Sequence, residues 1–372
     1  MSGFSRKLTR PFASWGGRSP ATVRNPPKAA RLVAPVEVLP KWLLFTPMTI
    51  QWFWLGLKYR SLTLPSVVNP GIETGGLVGE SKFACLDMIA PRFRDRVAET
   101  ALVAPGEDAE AVRRTACLAY PLIVKPDIGW CGFGVRRIES EGELRVYAAA
   151  FPPGESFLLQ RLVDEPHEAA LFYIRHPANP RGRVVALTVR HLPHVTGDGV
   201  SEIAALVAAD PRMSLNAASY IETLGQDGMA RVPEAGERVM LATIASIRAG
   251  GRYEDGDALI TPALEDAVDA LSRSMDGFHY GRFDIKYASP EALKAGSFTI
   301  LEVNGAGAEA IQYWDPKYTF LDTFRGVFAK QRALFAMADD MRRMGHKPIG
   351  WRALATAYRK QQRLINQYPP SN

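Results

Sequence analysis

Gly281-Arg282-Phe283-Asp284-Ile285 and Phe298-Thr299-Ile300-Leu301-Glu302-Val303-Asn304-Gly305 are the two stretches that decide how this chain is read. Both are apolar runs of strand type, interrupted by polar residues two apart. Strand side chains alternate faces, so Arg282 and Asp284 share one face of the first strand. Glu302 and Asn304 share one face of the second. If the strands pair, two carboxylates, an amide oxygen and a guanidinium converge on one patch. Hard oxygen donors of this kind suit Mg²⁺, and a neighbouring Arg suits the phosphates that Mg²⁺ carries. An exposed ion pair between Arg282 and Glu302 would be worth little and would need no apolar strand around it.

The rest of the chain sets bounds on that reading. Its 372 residues, 47% of them apolar, suffice for one large or two to three modest domains and are too apolar for a disordered chain. The net charge of +6 is unevenly placed. Residues 1–41 hold eight Lys or Arg against one acid, Glu37, so the body is near neutral and the tail carries the basic character. A basic Ser/Pro/Gly tail is either solvated or drawn to anionic partners such as lipid headgroups or nucleic acid. Cys85, Cys117 and Cys131 show no metal-ligand spacing and read as reduced thiols, which places the chain in the cytoplasm. Residues 1–30 lack the apolar core of a signal peptide.

Residues 42–57 are an uncharged apolar run between Lys41 and Lys58, rich in Trp and Phe. The run is shorter than the ~20 residues a bilayer span needs, and it contains Pro47 and Gln51. Two readings stay open: a helix buried in the core, or a helix lying in the headgroup region of an anionic membrane, with residues 1–60 as the contact. The second reading would put the protein at the inner face of the membrane. Beyond it, residues 65–81 have loop composition. Helical patterning follows from Ser81 to about Ala90 and again over 107–117. Strands are expected at 120–126, 156–162 and 183–190, and helices at 262–275, 318–340 and 350–366. The mixed order, with hairpins as well as crossovers, argues an α+β fold.

After Lys125-Pro126 comes Asp127-Ile128-Gly129-Trp130-Cys131-Gly132-Phe133-Gly134. Closely spaced glycines let backbone amides approach an anion, and a Lys ending the preceding strand can reach phosphate oxygens. An ordinary glycine turn explains the same letters, and the loop fits neither common nucleotide-binding glycine pattern.

Taken in order, these residues resemble the ATP-grasp superfamily, and within it the carboxylate–amine ligases such as D-alanine–D-alanine ligase and cyanophycin synthetase. The resemblance covers about Ser81 to Phe335. It implies an ATP-grasp fold, two α+β subdomains clamping ATP, with a reduced N-terminal region and C-terminal helices. Lys82 and Lys125 look like the family's two phosphate-contacting lysines, and Gly129, Gly132 and Gly134 like its flap. Gln160, Arg161, Leu162 and Val163 match the adenine hinge, and Glu168 the ribose carboxylate. Arg190 opens a stretch, through Gly197-Asp198-Gly199, close to one in the cyanophycin synthetase group. Arg282 falls on the phosphate-binding arginine, and Asp284, Glu302 and Asn304 on the ligands of two Mg²⁺ ions, for which Mn²⁺ could substitute. The implied organisation is a basic tail over 1–40, an apolar helix plus loop over 41–80, the ATP-grasp unit over 81–335 and a helical segment over 336–372.

The implied reaction activates a carboxylate as an acyl phosphate, transfers it to an amine and releases ADP and phosphate. The partners are then small-molecule carboxylates and amines, and no nucleic acid is expected. Two other classes stay open: a phosphotransferase of the same superfamily, and an ATP-binding membrane-associated module without catalysis. The family's large N-terminal substrate domain is expected to be reduced or different here, since only about eighty residues precede Lys82. Glu73, Gly305 and Glu309 are therefore the candidate substrate contacts, with Glu309 equally able to start a helix as a first-turn acid.

Overall fold

The structure is a computed structural model that describes residues 33–309 and 311–371. It is an α+β chain, as expected. The strands are β1 (Thr100–Val103), β2 (Leu122–Pro126), β3 (Arg136–Ile138), β4 (Phe157–Arg161), β5 (His167–Ile174), β6 (Arg183–His191), β7 (His194–Thr196), β8 (Arg238–Met240), β9 (Arg252–Asp255), β10 (Tyr280–Tyr287) and β11 (Thr299–Asn304). They form a four-stranded sheet in the order β1-β4-β2-β3, a five-stranded sheet in the order β11-β10-β5-β6-β9 and a β7-β8 ribbon. Every strand pair described is antiparallel.

The helices are α1 (Lys41–Lys58), α2 (Lys82–Asp87), α3 (Ala109–Thr115), α4 (Glu141–Ala150), α5 (Ile203–Ala209), α6 (Ala217–Ala230), α7 (Pro262–Ser272), α8 (Pro290–Lys294), α9 (Phe320–Arg343) and α10 (Trp351–Ile365). Side-chain caps start several of them where the sequence offers Ser, Thr or Asp. Ser81 accepts from Ala84 N, Thr261 from Leu264 N, and Thr319 forms a capping box with Asp322. The helix expected through Ala90 stops at Asp87, and a 3₁₀ turn opened by Pro91 follows it. Helix α9 runs unbroken through Phe335, so the boundary expected at 335 falls inside an element.

The five-stranded sheet separates two cores by the alternation of its strands. Ala169, Leu171 and Tyr173 of β5 point into one core, with Leu264, Val268 and Leu271 of α7. Phe172 and Ile174 point into the other, with Ala186, Tyr280 and Leu334, Phe335 and Met341 of α9. This second face changes character along its length. Register partners share a face, and Glu168 lies opposite both Arg190 and Lys286, while Asp284 lies opposite Glu302. The face is apolar where α9 covers it and charged at its other end.

Two expectations for the N-terminal region are corrected in part. The tail was expected to run through residue 40. Residues 1–32 lie outside the described residues, but Ala34 and Val36 are buried against Leu44, Trp314 and Phe324. Glu37, the tail's only acid, is buried in an ion pair with Arg212 at 2.9 Å. Burying two apolar side chains and neutralising the acid docks this segment. Helix α1 answers to neither open reading alone. Leu55 is buried with Leu334 and Phe335 of α9, Leu44 with Val36 and Phe324, and Gly56 against Leu62, whereas most of the outer face is exposed.

Candidate active site

Strands β10 and β11 pair as the sequence implied, with Arg282 opposite Asn304 and Asp284 opposite Glu302. The four polar side chains therefore lie on one face, and the neighbouring strands extend the set. Arg282 donates from Nε to Asp284 Oδ1 at 2.7 Å and from Nη2 to Oδ2 at 3.1 Å. From β6, Arg190 Nη1 lies 3.1 Å from Asp284 Oδ2 and 2.9 Å from Glu168 Oε1. Asp284 thus sits between two guanidiniums. Burial alone would raise its pKa, but Arg282 and Arg190 outweigh burial and hold the carboxyl below its ordinary range. For Glu168 the balance goes the other way. Burial pushes it up, against the pull of Arg190.

A register shift breaks the β10–β11 ladder. Glu302 pairs with Asp284 and Ile300 with Ile285, so Leu301 bulges out. A bulge of this kind frees a carbonyl from the ladder and re-aims it. Leu301 O accepts from Lys125 Nζ at 2.9 Å and from Gln160 Nε2 at 3.1 Å, both on the four-stranded sheet. Lys125 also donates to Gln160 Oε1 at 2.9 Å, and Gln160 Nε2 to Thr100 Oγ1 at 2.8 Å. Burial pushes the Lys125 ammonium down to about 8. The bulge ties the two large sheets together at the edge of the charged face.

Lys82 opens α2 with its Nζ 3.8 Å from Glu302 Oε1, so it too faces the patch. Asp127 holds this helix start in place. Its carboxylate accepts from Ser81 Oγ and Phe83 N, each at 2.9 Å. Gly129 comes so close to Lys82 that an added Cβ would lie 3.1 Å from Nζ. Further along the loop, Gly132 and Gly134 have φ of +75° and +73°, which L side chains seldom adopt. Cys131, just before Gly132, is strained at φ +49°.

This loop is fastened from three sides. Arg248 donates to the carbonyls of Cys131 at 3.2 Å and Gly132 at 3.3 Å and lies 4.3 Å from the Phe133 ring centre. Ser371 Oγ donates to Gly132 O at 2.7 Å, and Tyr147 OH to Gly134 O at 2.9 Å. Near its start, Tyr368 OH donates to Ile128 O at 2.5 Å.

The other expected residues divide. Gln160 is central, but Arg161 is exposed and pairs with Glu99 at 3.5 Å. Val163 is buried, with its carbonyl accepting from Lys286 Nζ at 2.8 Å; Leu162 is half-buried between them. Gly305 packs on Gly76, where a Cβ on Gly305 would fall 2.6 Å from Gly76 Cα. Ala306 N and Gly307 N donate to Gly75 O and Gly76 O at 3.0 and 2.6 Å. The backbone of the 71–76 loop therefore meets the end of β11, while Glu73 is exposed. Glu309 offers its carbonyl to Arg282 Nη1 at 3.5 Å. Asp198 is exposed and caps its own turn through Val200 N and Ser201, without reaching the patch.

Sequence reading missed Lys286, Arg248, Lys330 and Glu80. Lys286 is two residues from Asp284 on the same face, so the period that found Asp284 could have found it. Lys330 sits on the apolar side of α9 with its ammonium on Ala308 O, and burial lowers its pKa. Burial likewise raises Glu80, which lies near Lys82 and Glu302.

Among the described residues no three His, Cys, Asp or Glu side chains form a metal cluster by themselves. The donor set here is two carboxylates and one amide. Asn304 Nδ2 is buried without a hydrogen-bond partner, and turning the amide would present its oxygen instead. Two carboxylates and one amide oxygen fit a hard divalent cation.

Fold and site thus define an α+β chain in which charged residues of the five-stranded sheet meet Lys125 of the four-stranded sheet. No protein-family model and no curated protein matches the chain. Among solved structures it is similar to a bifunctional glutathione synthetase from Pasteurella multocida, at 16% identity and a TM-score of 0.35, over 64% of this chain and 34% of that one. It is also similar to a D-alanine–D-alanine ligase from Bacillus anthracis, at 13% identity and a TM-score of 0.40, over 71% and 69%. A third is the D-cycloserine synthetase DcsG, at 18% identity and a TM-score of 0.37, over 71% of both chains. The chain spans about a third of the glutathione synthetase. Likeness at this level carries no argument about the reaction, which has to come from the site.

Proposed function

We propose that this chain is an ATP-dependent carboxylate–amine ligase that forms an amide bond through an acyl phosphate and releases ADP and phosphate. One observation carries the reading. Asp284 and Glu302 face each other on adjacent strands, flanked by Arg282 and Arg190, with Lys125 arriving from the other sheet.

A carboxylate is a poor acyl donor because its leaving group would be oxide. Phosphorylation turns the leaving group into phosphate, so the protein's task is to position the reactants and neutralise charge. Lys82 and Lys125 would hold the α- and β-phosphates. Asp284, Glu302 and Asn304 would hold Mg²⁺, whose positive charge would offset that of the phosphates. Incoming phosphate oxygens would compete with Asp284 for Arg190 and Arg282, leaving the carboxylate for the metal. Arg282 would then face the oxyanion that develops on the substrate carboxylate. Gln160 to Val163 would offer backbone groups to the adenine, and Glu168 a carboxylate to the ribose. The loop from Gly129 to Gly134 would cover the phosphates and keep water from the acyl phosphate. Gly305 and Glu309, beyond the metal ligands, would line the side from which the amine enters.

The test is a screen of amino acids and other small carboxylates with Mg·ATP, read by mass spectrometry. An amide product with ADP and phosphate supports the ligase. A stable phosphorylated product would mean a phosphotransferase, and no ATP binding would end the reading.

A further inference from the structure

Helix α1 has one side that the fold uses and another that it does not. On the used side, Leu44, Leu55 and Gly56 are buried, and Trp52 meets the ring of Phe335 at 4.9 Å. Gln51 Nε2 donates to Phe328 O at 2.9 Å and Gln331 Oε1 at 3.1 Å, which clamps the helix along α9. On the unused side, Trp42 (70% exposed), Ile50 (64%), Phe53 (54%), Trp54 (53%) and Leu57 (77%) stand in solvent.

A surface helix ordinarily turns polar residues outward, and a helix apolar all round is buried or meets lipid. An outward row of this size on a soluble chain marks a docking surface. We propose that the outer face of α1 lies in the headgroup region of an anionic membrane, as a peripheral contact. This inference does not depend on the ligase reading.

Three features select a lipid surface over a protein partner. The outward residues include two tryptophans and a phenylalanine, the rings that settle at the boundary between headgroups and acyl chains. Along the helix and its flanks in sequence the charges are of one sign: Lys41 at its start, Lys58 and Arg60 at its end, and no Asp or Glu from Val38 through Ile72. Residues 1–32, just before the docked segment, hold seven Lys or Arg and no acid, which supplies the second signal that stable attachment takes. The orientation is flat. Among the described residues no helix is long and apolar enough to cross a membrane, and the inner side of α1 is held against α9.

The experiment is flotation of the full chain with vesicles of phosphatidylglycerol and phosphatidylethanolamine, compared with phosphatidylcholine alone. Phe53→Ser, Trp54→Ser and Leu57→Gln are combined in one variant, and Lys41→Glu and Lys58→Glu in a second. All five positions are exposed, and an unchanged thermal midpoint would show that the fold is kept. The wild-type chain should float with the anionic vesicles, less so at high salt, and its tryptophan emission should shift to the blue. Each variant should lose on the order of tenfold in vesicle affinity. Failure of the wild type to float at low salt would overturn the proposal. So would undiminished flotation of the apolar variant, since the basic tail alone would then account for binding. A concentration-dependent dimer that the same substitutions abolish would assign the face to a second copy of the chain.

Discussion

Lys125 Nζ reaches from the four-stranded sheet to Leu301 O at 2.9 Å, a carbonyl exposed by the bulge in β11. The residue after the bulge is Glu302, a candidate metal ligand, so this bond, with that of Gln160 to the same carbonyl, holds Lys125 close to the carboxylates. Replacing Lys125 with Met should raise the KM for ATP on the order of tenfold or more. It should also destabilise the chain by about 1–3 kcal/mol, because Leu301 O and Gln160 Oε1 lose a buried donor. Steady-state kinetics and urea unfolding check both.

The same lysine predicts a pH dependence. Its ammonium titrates near pH 8 in the folded chain and near 10.5 when unfolded. Between those values the unfolded chain binds more protons, so this residue's contribution to stability rises with pH. ATP affinity should move the other way and weaken as pH rises through about 8. Titration calorimetry on both sides of that value should show the loss in the wild type and a flatter profile in Lys125→Met.

Glu302 and Asp284 should separate chemistry from folding. Glu302 has one long ion pair, to Lys82 at 3.8 Å, whereas Asp284 is bound by two buried guanidiniums. Glu302→Gln should abolish turnover with the thermal midpoint almost unmoved. Asp284→Asn should abolish turnover and also cost about 3–5 kcal/mol, since it leaves buried charge uncompensated. Wild-type turnover in Glu302→Gln would remove the metal assignment.

Arg248 holds two carbonyls of the glycine loop and covers Phe133. Arg248→Ala should loosen the loop without touching the metal ligands. The expected result is faster proteolysis within residues 129–134 and more ADP released per amide formed, because water gains access to the acyl phosphate. Limited proteolysis and the ratio of ADP to amide read these out.

The sequence showed the charged face clearly, and for a physical reason. Arg282, Asp284, Glu302 and Asn304 break apolar strands at a period of two, and that period survives folding unchanged. The bulge at Leu301 left no such mark, so the junction of the two sheets was not legible. The grip of Tyr368 and Ser371 on the glycine loop was hidden too, because it joins residues 240 and 239 positions apart in the chain. Helix α1 was ambiguous in sequence because its two sides are both apolar, and only its packing on α9 tells them apart. The docking of Ala34 to Glu37 was obscured by the basic composition around it.

The most direct measurement follows an oxygen atom. The chain is incubated with Mg·ATP, an amine and the carboxylate found by screening, the last labelled with ¹⁸O in its carboxyl group. If the site makes an acyl phosphate, the released phosphate should carry one ¹⁸O, in step with ADP and amide, and Glu302→Gln should release none. Unlabelled phosphate accompanying amide formation would contradict the account.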